Sequence, residues 1–257
     1  ADNTTYYPAF LKEKYGRIEA YNAAGGTRYA RFEDVPRMTP AAAKAADNPQ
    51  AWYDQIQYAE KLYADAFKIL SRIIKKHDPG ARVGAEGSNA GDLELTVDGL
   101  EFWGPYRNVV MDELLRNIAP NHLRGTWWGG YSSNPRDGFP QNWEYLLTGT
   151  INCDEWFTIL PGDAHSAHAD DFAFLPYVEM MIGHLRDLRW GVAPQLVVTP
   201  LRRDGAVMLY SHASMRASEW DERLSSPTES MDAFIGFCYR TGLGVEFAGR
   251  KTLDLIK

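Results

Sequence analysis

Residues 123–133, LRGTWWGGYSS, decide how the chain is read: a strand-like run stops abruptly in two adjacent Trp residues, two Gly and a Tyr. Strand, flat aromatics and Gly in that order suit the mouth of a sugar site. Trp127, Trp128 and Tyr131 offer ring faces to the C–H face of a pyranose, while Gly129 and Gly130 let the backbone turn sharply and a ligand come close. The competing reading is that both Trp are core, since large aromatics are mostly well buried. Recurrence favours the site: several other segments end in the same way.

Working outward, a strand at 81–85 ends in Glu86-Gly87-Ser88, and LEFWGPY (100–106) ends in Trp103-Gly-Pro-Tyr106. A helix at 108–118 leads into 123–131. A second helix, 141–148, precedes the strand 151–160, INCDEWFTIL, with Asp154-Glu155-Trp156 at its centre. Strands alternating with helices specify a parallel sheet covered by helices. In a (β/α)8 barrel the strand C-termini and the loops after them build the active site, so polar and aromatic residues gathered there read as site. Four such units are visible, and a closed barrel needs eight.

Upstream, Phe10, Leu11, Tyr15 and Ile18 fall at helical spacing in a predicted helix 7–23, broken by Gly25-Gly26. Residues 34–49 hold three Pro and a run of Ala, and read as an irregular crossing segment. A long amphipathic helix, 49–77, carries Trp52, Ile56, Ala59, Tyr63, Phe67, Leu70 and Ile74 on one stripe. Its other face, with Asp54, Glu60, Lys61, Asp65, Lys68, Arg72 and Lys75, reads as solvated. Downstream, Met208, Met231, Phe234 and Phe237 read as core of a second unit, with Val245 to Ala248 as its next strand.

The 257 residues are 45% hydrophobic and 24% charged, an ordinary globular composition. Lys+Arg 27 against Asp+Glu 34 leaves a net charge of −7 with no basic stripe, which argues against nucleic acid as partner. No apolar run is long enough for a membrane span, and the first residues have no signal-peptide pattern, so a soluble protein of unassigned compartment is expected. Cys153 and Cys238 are too few for a disulfide framework. An aromatic content of 13%, with 8 Trp and 14 Tyr, favours carbohydrate over phosphate contact.

At this point the residues support a resemblance. FLKEKYG and RIEAYNAAGGT (10–27), the long helix into KHDPGARVG, the strand ending in Tyr106, TWWGGY, and LLTGTIN resemble the second half of the barrel of glycoside hydrolase family 42. That family contains β-galactosidases and belongs to the large clan of retaining (β/α)8 hydrolases. DDFAFLPYVEMMIGHLRDLRWGV resembles the helix that ends the barrel, and AVMLYSHASMRASEW the first strand and loop of the flavodoxin-like, often trimerising, domain that follows it. The expected architecture is therefore α/β: a partial (β/α)8 (TIM) barrel at 1–200, then the beginning of a flavodoxin-like domain at 201–257.

The resemblance also implies where a catalytic pair should sit. The family's acid/base Glu ends the fourth barrel strand, which would precede Ala1. Its nucleophile ends the seventh, where this chain has Thr126-Trp127-Trp128-Gly129-Gly130 and no carboxylate. Retaining hydrolysis needs two carboxyl groups about 5 to 5.5 Å apart, and inverting hydrolysis about 6.5 to 9.5 Å, so candidates come from neighbouring strand ends. Glu86 is the leading candidate and Glu155 the second; of Asp154 and Glu155, alternation turns one toward the interior. Trp103, Tyr106, Trp127, Trp128, Tyr131 and Trp156 are the expected sugar-binding residues.

His165, His168, Asp170 and Asp171 have ligand-type side chains, but a solvated loop is the preferred reading, and neither metal nor cofactor is expected. Ser211 and Ser214 lack a nucleophile-elbow context. Two functions follow: a β-galactosidase-like glycoside hydrolase, as a fragment lacking the acid/base strand, or a catalytically silent carbohydrate-binding relative that stacks sugars on Trp and Tyr. A carbohydrate is the expected partner, with no membrane. Association is expected as a homo-oligomer, a trimer included, or through a missing upstream segment that completes the barrel.

Overall fold

The structure, a computed structural model, describes residues 3–86, 91–104, 108–128, 143, 146–147, 152–155, 168–200 and 202–253. Four short parallel strands lie side by side in chain order: β1 (Gly84–Glu86), β2 (Phe102–Gly104), β3 (Leu123–Trp128) and β4 (Asn152–Glu155). Parallel neighbours in chain order need a crossover between each pair, and helices supply it between β1 and β2 and between β2 and β3.

Helix α1 (Asn3–Tyr15) and α2 (Ile18–Gly25) replace the single predicted helix 7–23. Gly16, at φ +74°, turns the chain between them. Gly26, at φ +65°, ends α2 with its N–H on the Asn22 carbonyl, the left-handed cap that glycine adopts without a Cβ penalty. The segment read as irregular contains a short helix, α3 (Pro40–Ala45), whose cap is Thr39 Oγ1 accepting from Ala42 N.

Helix α4 spans Pro49–His77, as its spacing predicts. Both ends are local chemistry: Asn48 accepts from Ala51 N, Pro49 suits the first turn, and Lys75, Lys76 and His77 face the negative end of the dipole. The buried face differs from the predicted stripe. Leu70 and Ile74 are exposed, whereas Asp54, Gln55 and Glu60 are buried with Trp52, Tyr58 and Ala64.

After β1 come α5 (Leu93–Thr96), capped by Asp92, and a single 3-10 turn at Val97–Gly99. Helix α6 (Val109–Ile118), capped by Asn108, joins β2 to β3. Of the predicted helix 141–148, residues 143, 146 and 147 are described and helical. Of the predicted strand 151–160, β4 covers 152–155 and the rest lies outside the described residues. Helix α7 (Pro176–Asp187) runs through a π-helical turn, Leu188–Val192, into α8 (Ala193–Val198).

The remaining unit is β5 (Val207–Leu209), α9 (His212–Trp220), α10 (Pro227–Thr241) and β6 (Glu246–Ala248), with β5 and β6 parallel. Met231 is buried in it as expected, Cys238 is buried beside it, and Phe237 is half exposed. This unit does not own a separate core. Tyr210, Met231, Ile235, Cys238, Val245 and Phe247 join one apolar cluster with Leu93, Leu100, Trp103, Leu114 and Leu115.

Candidate functional site

The helix side of the four-stranded sheet is marked by Trp103 and its register partners on β1 and β3. Trp103 of β2 is 1% exposed and sits in the apolar cluster with α6, and Ala85, its register partner on β1, packs against the same cluster. Arg124 of β3, the other register partner of Trp103, lies beside Arg116, Glu113 and Asp112 of α6. Burial and the Arg116 charge push its guanidinium below the ordinary arginine value, against Glu113 and Asp112. Ala85, Trp103 and Arg124 therefore mark the helix side of the sheet.

Strand residues alternate between faces, so the neighbours of these three define the other side. Gly84 and Glu86 of β1, Phe102 and Gly104 of β2, and Leu123, Gly125 and Trp127 of β3 are on it. A Cβ built on Gly84 would lie 2.8 Å from the Phe102 Cβ, which confirms that these two positions share a face. From β3 the register carries the assignment to β4. Asn152 pairs with Gly125 and Asp154 with Trp127 on that other side, while Cys153 pairs with Thr126 and Glu155 with Trp128 on the helix side.

Glu86 thus occupies the last position of β1, level with Gly104. Continuing the β2–β3 register by one residue aligns Gly104 with Gly125, and Gly125 is paired with Asn152. Two strands in succession therefore carry glycine in the row that begins at Glu86.

The expected sugar-binding residues divide accordingly. Trp103 is a correction: its ring lies in the core on the helix side, with no face left for a ligand, and its indole N–H has no partner among the described residues. Trp127 is at the register position of Asp154 and Trp128 at a helix-side position of β3. Tyr106, Tyr131 and Trp156 lie outside the described residues. Of the expected carboxylates, Glu86 is at the register position of Gly104 on β2, and Glu155 at that of Trp128 on β3. Glu101, just before β2, is exposed and paired with Lys75 Nζ at 2.7 Å.

His168 binds the Phe172 carbonyl through Nδ1 at 3.0 Å and stacks on Phe174. Asp170 and Asp171 are exposed beside it, and His165 lies outside the described residues. Among the described residues no three His, Cys, Asp or Glu side chains are gathered as a metal site would require. Ser211 caps α9, its Oγ accepting from Ser214 N, which is a structural use of the hydroxyl. No helix among the described residues is long and apolar enough to cross a membrane.

Away from the sheet, two buried ionic networks had no signal in the local sequence. Glu60 of α4 accepts from His212 Nε2 at 2.7 Å and from Arg216 Nε at 2.8 Å, and Arg216 also binds Glu219. Burial raises the Glu60 carboxyl, but His212 and Arg216 outweigh it and hold the group below the usual glutamate value. Asp54, fully buried, accepts from Lys14 Nζ at 2.6 Å and Tyr15 Oη at 2.9 Å. Here burial prevails and the carboxyl stays raised. A recess of about 540 Å³ adjoins these networks, lined by Tyr15, Gln50, Trp52, Tyr53, Arg216 and Trp220. The guanidinium in that recess is already engaged by Glu60 and Glu219, so it is less suited than the strand ends to take a ligand.

No protein-family model matches the chain, and no curated sequence matches it. Solved structures do. A catalytic mutant of Gan42B, a GH42 β-galactosidase from G. stearothermophilus, superposes with a TM-score of 0.74 at 10% identity, over 95% of this chain and 42% of that one. An exo-carrageenase of GH42 from Bacteroides ovatus gives 0.66 at 16% identity, over 95% and 39%. The β-galactosidase of the psychrophilic Marinomonas ef1 gives 0.62 at 14%, over 96% and 46%. The chain spans less than half the length of each. Its parallel strands, the helices described among them and these superpositions together show an α/β fold like that of part of these glycosidase structures.

Proposed function

We propose that the protein is a glycoside hydrolase acting on β-galactosides or related oligo- and polysaccharides, with Glu86 as one working carboxylate at the strand ends. The observation that carries this reading is the position of Glu86 in one row with Gly104 and Gly125, at the end of the sheet where a barrel of this fold builds its site. Hydrolysis of a glycosidic bond needs a second carboxyl across the sugar, and β4 offers Asp154 and Glu155. Trp127 supplies a ring-sized apolar platform in the same reading. β1 and β4 are the outer strands of the described sheet. We read 201–257 as the start of a flavodoxin-like domain and the assembly as a homo-oligomer, a trimer included.

A second reading, a carbohydrate-binding relative without catalysis, is favoured by one observation. The end of β3 reads Thr126-Trp127-Trp128, with no carboxylate where the resemblance sets the nucleophile. Hydrolysis of a panel of aryl β-glycosides by the purified protein separates the two. Under the first reading Glu86→Gln lowers turnover by about 10²- to 10⁴-fold, the usual contribution of a positioned acid or base. Binding without turnover in a well-folded protein selects the second.

A further inference from the structure

We propose that the recess beside α4 is a binding site for a neutral sugar ring, separate from the strand ends, and that the Glu60–His212–Arg216 network builds it by holding α9 on α4. Helical spacing is the first support. Ala213, Ala217 and Trp220 recur at i, i+4 and i+7 and line the recess, while His212, Arg216 and Glu219, each one residue earlier, form the adjoining stripe. That stripe is clamped. His212 and Arg216 meet Glu60, Arg216 also meets Glu219, and Lys44 Nζ donates to the Glu219 carbonyl at 2.8 Å. The facing wall is the start of α4, with Gln50, Trp52 and Tyr53, together with Tyr15 of α1, which Asp54 holds by its hydroxyl. The enclosed volume, about 540 Å³, is that of a small-molecule site.

The second support is charge. Arg216 and Asp221 are the charged residues of the lining. Arg216 is engaged by Glu60 and Glu219, and Asp221 accepts from Arg223 Nε at 2.8 Å and Nη2 at 2.7 Å. An ionic ligand would have to break one of these pairs, whereas a neutral one leaves them intact. Binding therefore falls to the rings and the neutral polar groups.

The third support is how those surfaces are combined. Trp52 is 6% exposed, and Lys44 Nζ stands 5.8 Å from its ring centroid, so little of that ring is open. Trp220 packs against it at 5.7 Å between centroids, with planes at 58°, and is only partly buried. Trp220 is thus the platform. Beside it, Gln57 Nε2 donates to Tyr53 Oη at 3.0 Å, which leaves the Tyr53 O–H to donate. Gln50 Nε2 is spent on the Tyr21 carbonyl at 3.1 Å, which leaves Gln50 Oε1 to accept. Neither atom has a further partner among the described residues. A pyranose has an apolar C–H face and hydroxyls at its rim, so it matches both the ring and the polar atoms. A purely aromatic ligand would leave the polar atoms unpaired.

The test is calorimetric titration of the full chain with galactotetraose, cellotetraose and indole. The inclusion of a galactose probe rests on the function proposed above; the recess itself calls for a neutral pyranose. The native protein is expected to bind at least one tetrasaccharide. Ala217→Trp, which fills the recess from an exposed position of α9, and Trp220→Ala are each expected to weaken it about tenfold or more, and Tyr53→Phe about fivefold, the loss of one neutral hydrogen bond. Circular dichroism checks that each variant is folded. Aryl β-glycoside turnover, the readout of the strand ends, should stay within about twofold in Ala217→Trp, so failure of that reading and failure of this one are seen separately. Glu60→Gln should weaken sugar binding in the same sense, and unchanged affinity there overturns the role of the network. Binding of indole alone, no binding of either sugar, or sugar affinity untouched by both Ala217→Trp and Trp220→Ala overturns the site.

Discussion

Asp54 and Glu60 show how much a single side chain depends on partners far away in the sequence. On α4 they alternate with Lys61, Asp65 and Lys68 and look like the same solvated face. What separates them is Lys14, 40 residues before Asp54, and His212 and Arg216, 152 and 156 residues after Glu60. No window along the helix contains that information. Removing one partner of a buried ionic pair leaves the other charged and unpaired, at a cost of about 3 kcal/mol. Glu60→Gln is therefore expected to lose about that much at neutral pH.

The pH dependence has a definite sign. Because His212 and Arg216 hold the folded carboxyl of Glu60 below its unfolded value, its stabilisation is complete above the unfolded pKa and disappears as pH falls through the folded one. The gap between native protein and Glu60→Gln in urea unfolding should thus shrink below about pH 4, the ordinary glutamate range. A gap that stays constant into acid would show that Glu60 contributes packing and not charge. Asp54 has the opposite sign, since burial keeps its carboxyl raised.

At the scale of elements, what was legible is what is encoded locally. The ends of α4 are written in Asn48-Pro49 and in Lys75-Lys76-His77, and the break after α2 in Gly25-Gly26. The short helices α3 and α5 were missed because they have one or two turns and too little periodicity to register, although Thr39 and Asp92 cap them. Strand faces were half legible. Alternation says that Asp154 and Glu155 differ, but only register against Trp127 and Trp128 says which is which. Trp103 resembled the other strand-end aromatics and proved to be core for the same reason.

Two glycines test this packing. A Cβ on Gly99 would lie 2.8 Å from the Lys68 backbone N and 3.0 Å from the Phe67 backbone C, atoms that α4 cannot move aside. Gly99→Ala is expected to cost about 1–3 kcal/mol in thermal or urea unfolding. Gly183, inside α7, has nothing within 4 Å of its added Cβ among the described residues. There alanine is expected to be neutral or to stabilise by up to about 1 kcal/mol, the helix propensity difference. Equal losses at both positions would mean that the close approach of α4 to the 97–99 turn is not a real constraint.

At the scale of the whole molecule, the expected boundary at 200 cuts through a continuous apolar cluster. Leu93, Leu100, Trp103, Leu114 and Leu115 on one side share it with Met231, Ile235, Cys238, Val245 and Phe247 on the other. Around it, Arg250 binds Asp92 and reaches Glu94 Oε2 at 3.1 Å, Lys251 N donates to Glu94 Oε1 at 3.0 Å, and Tyr239 Oη donates to Glu113 at 2.6 Å. A hydrophobic cluster that spans two units couples their unfolding, because neither can open without exposing the other's half. Leu114→Ala and Phe247→Ala, each costing about 3–4 kcal/mol, are therefore expected to shift one common transition, seen identically by tryptophan fluorescence and far-ultraviolet circular dichroism. By the same argument a chain ending at residue 200 exposes the face lined by Leu93, Trp103 and Leu114 and should bind a hydrophobic dye or aggregate. Cooperative unfolding of that shorter chain at native stability would instead make the cluster an interface between units that fold alone. In that case the sugar site at the strand ends would owe nothing to residues 201–257.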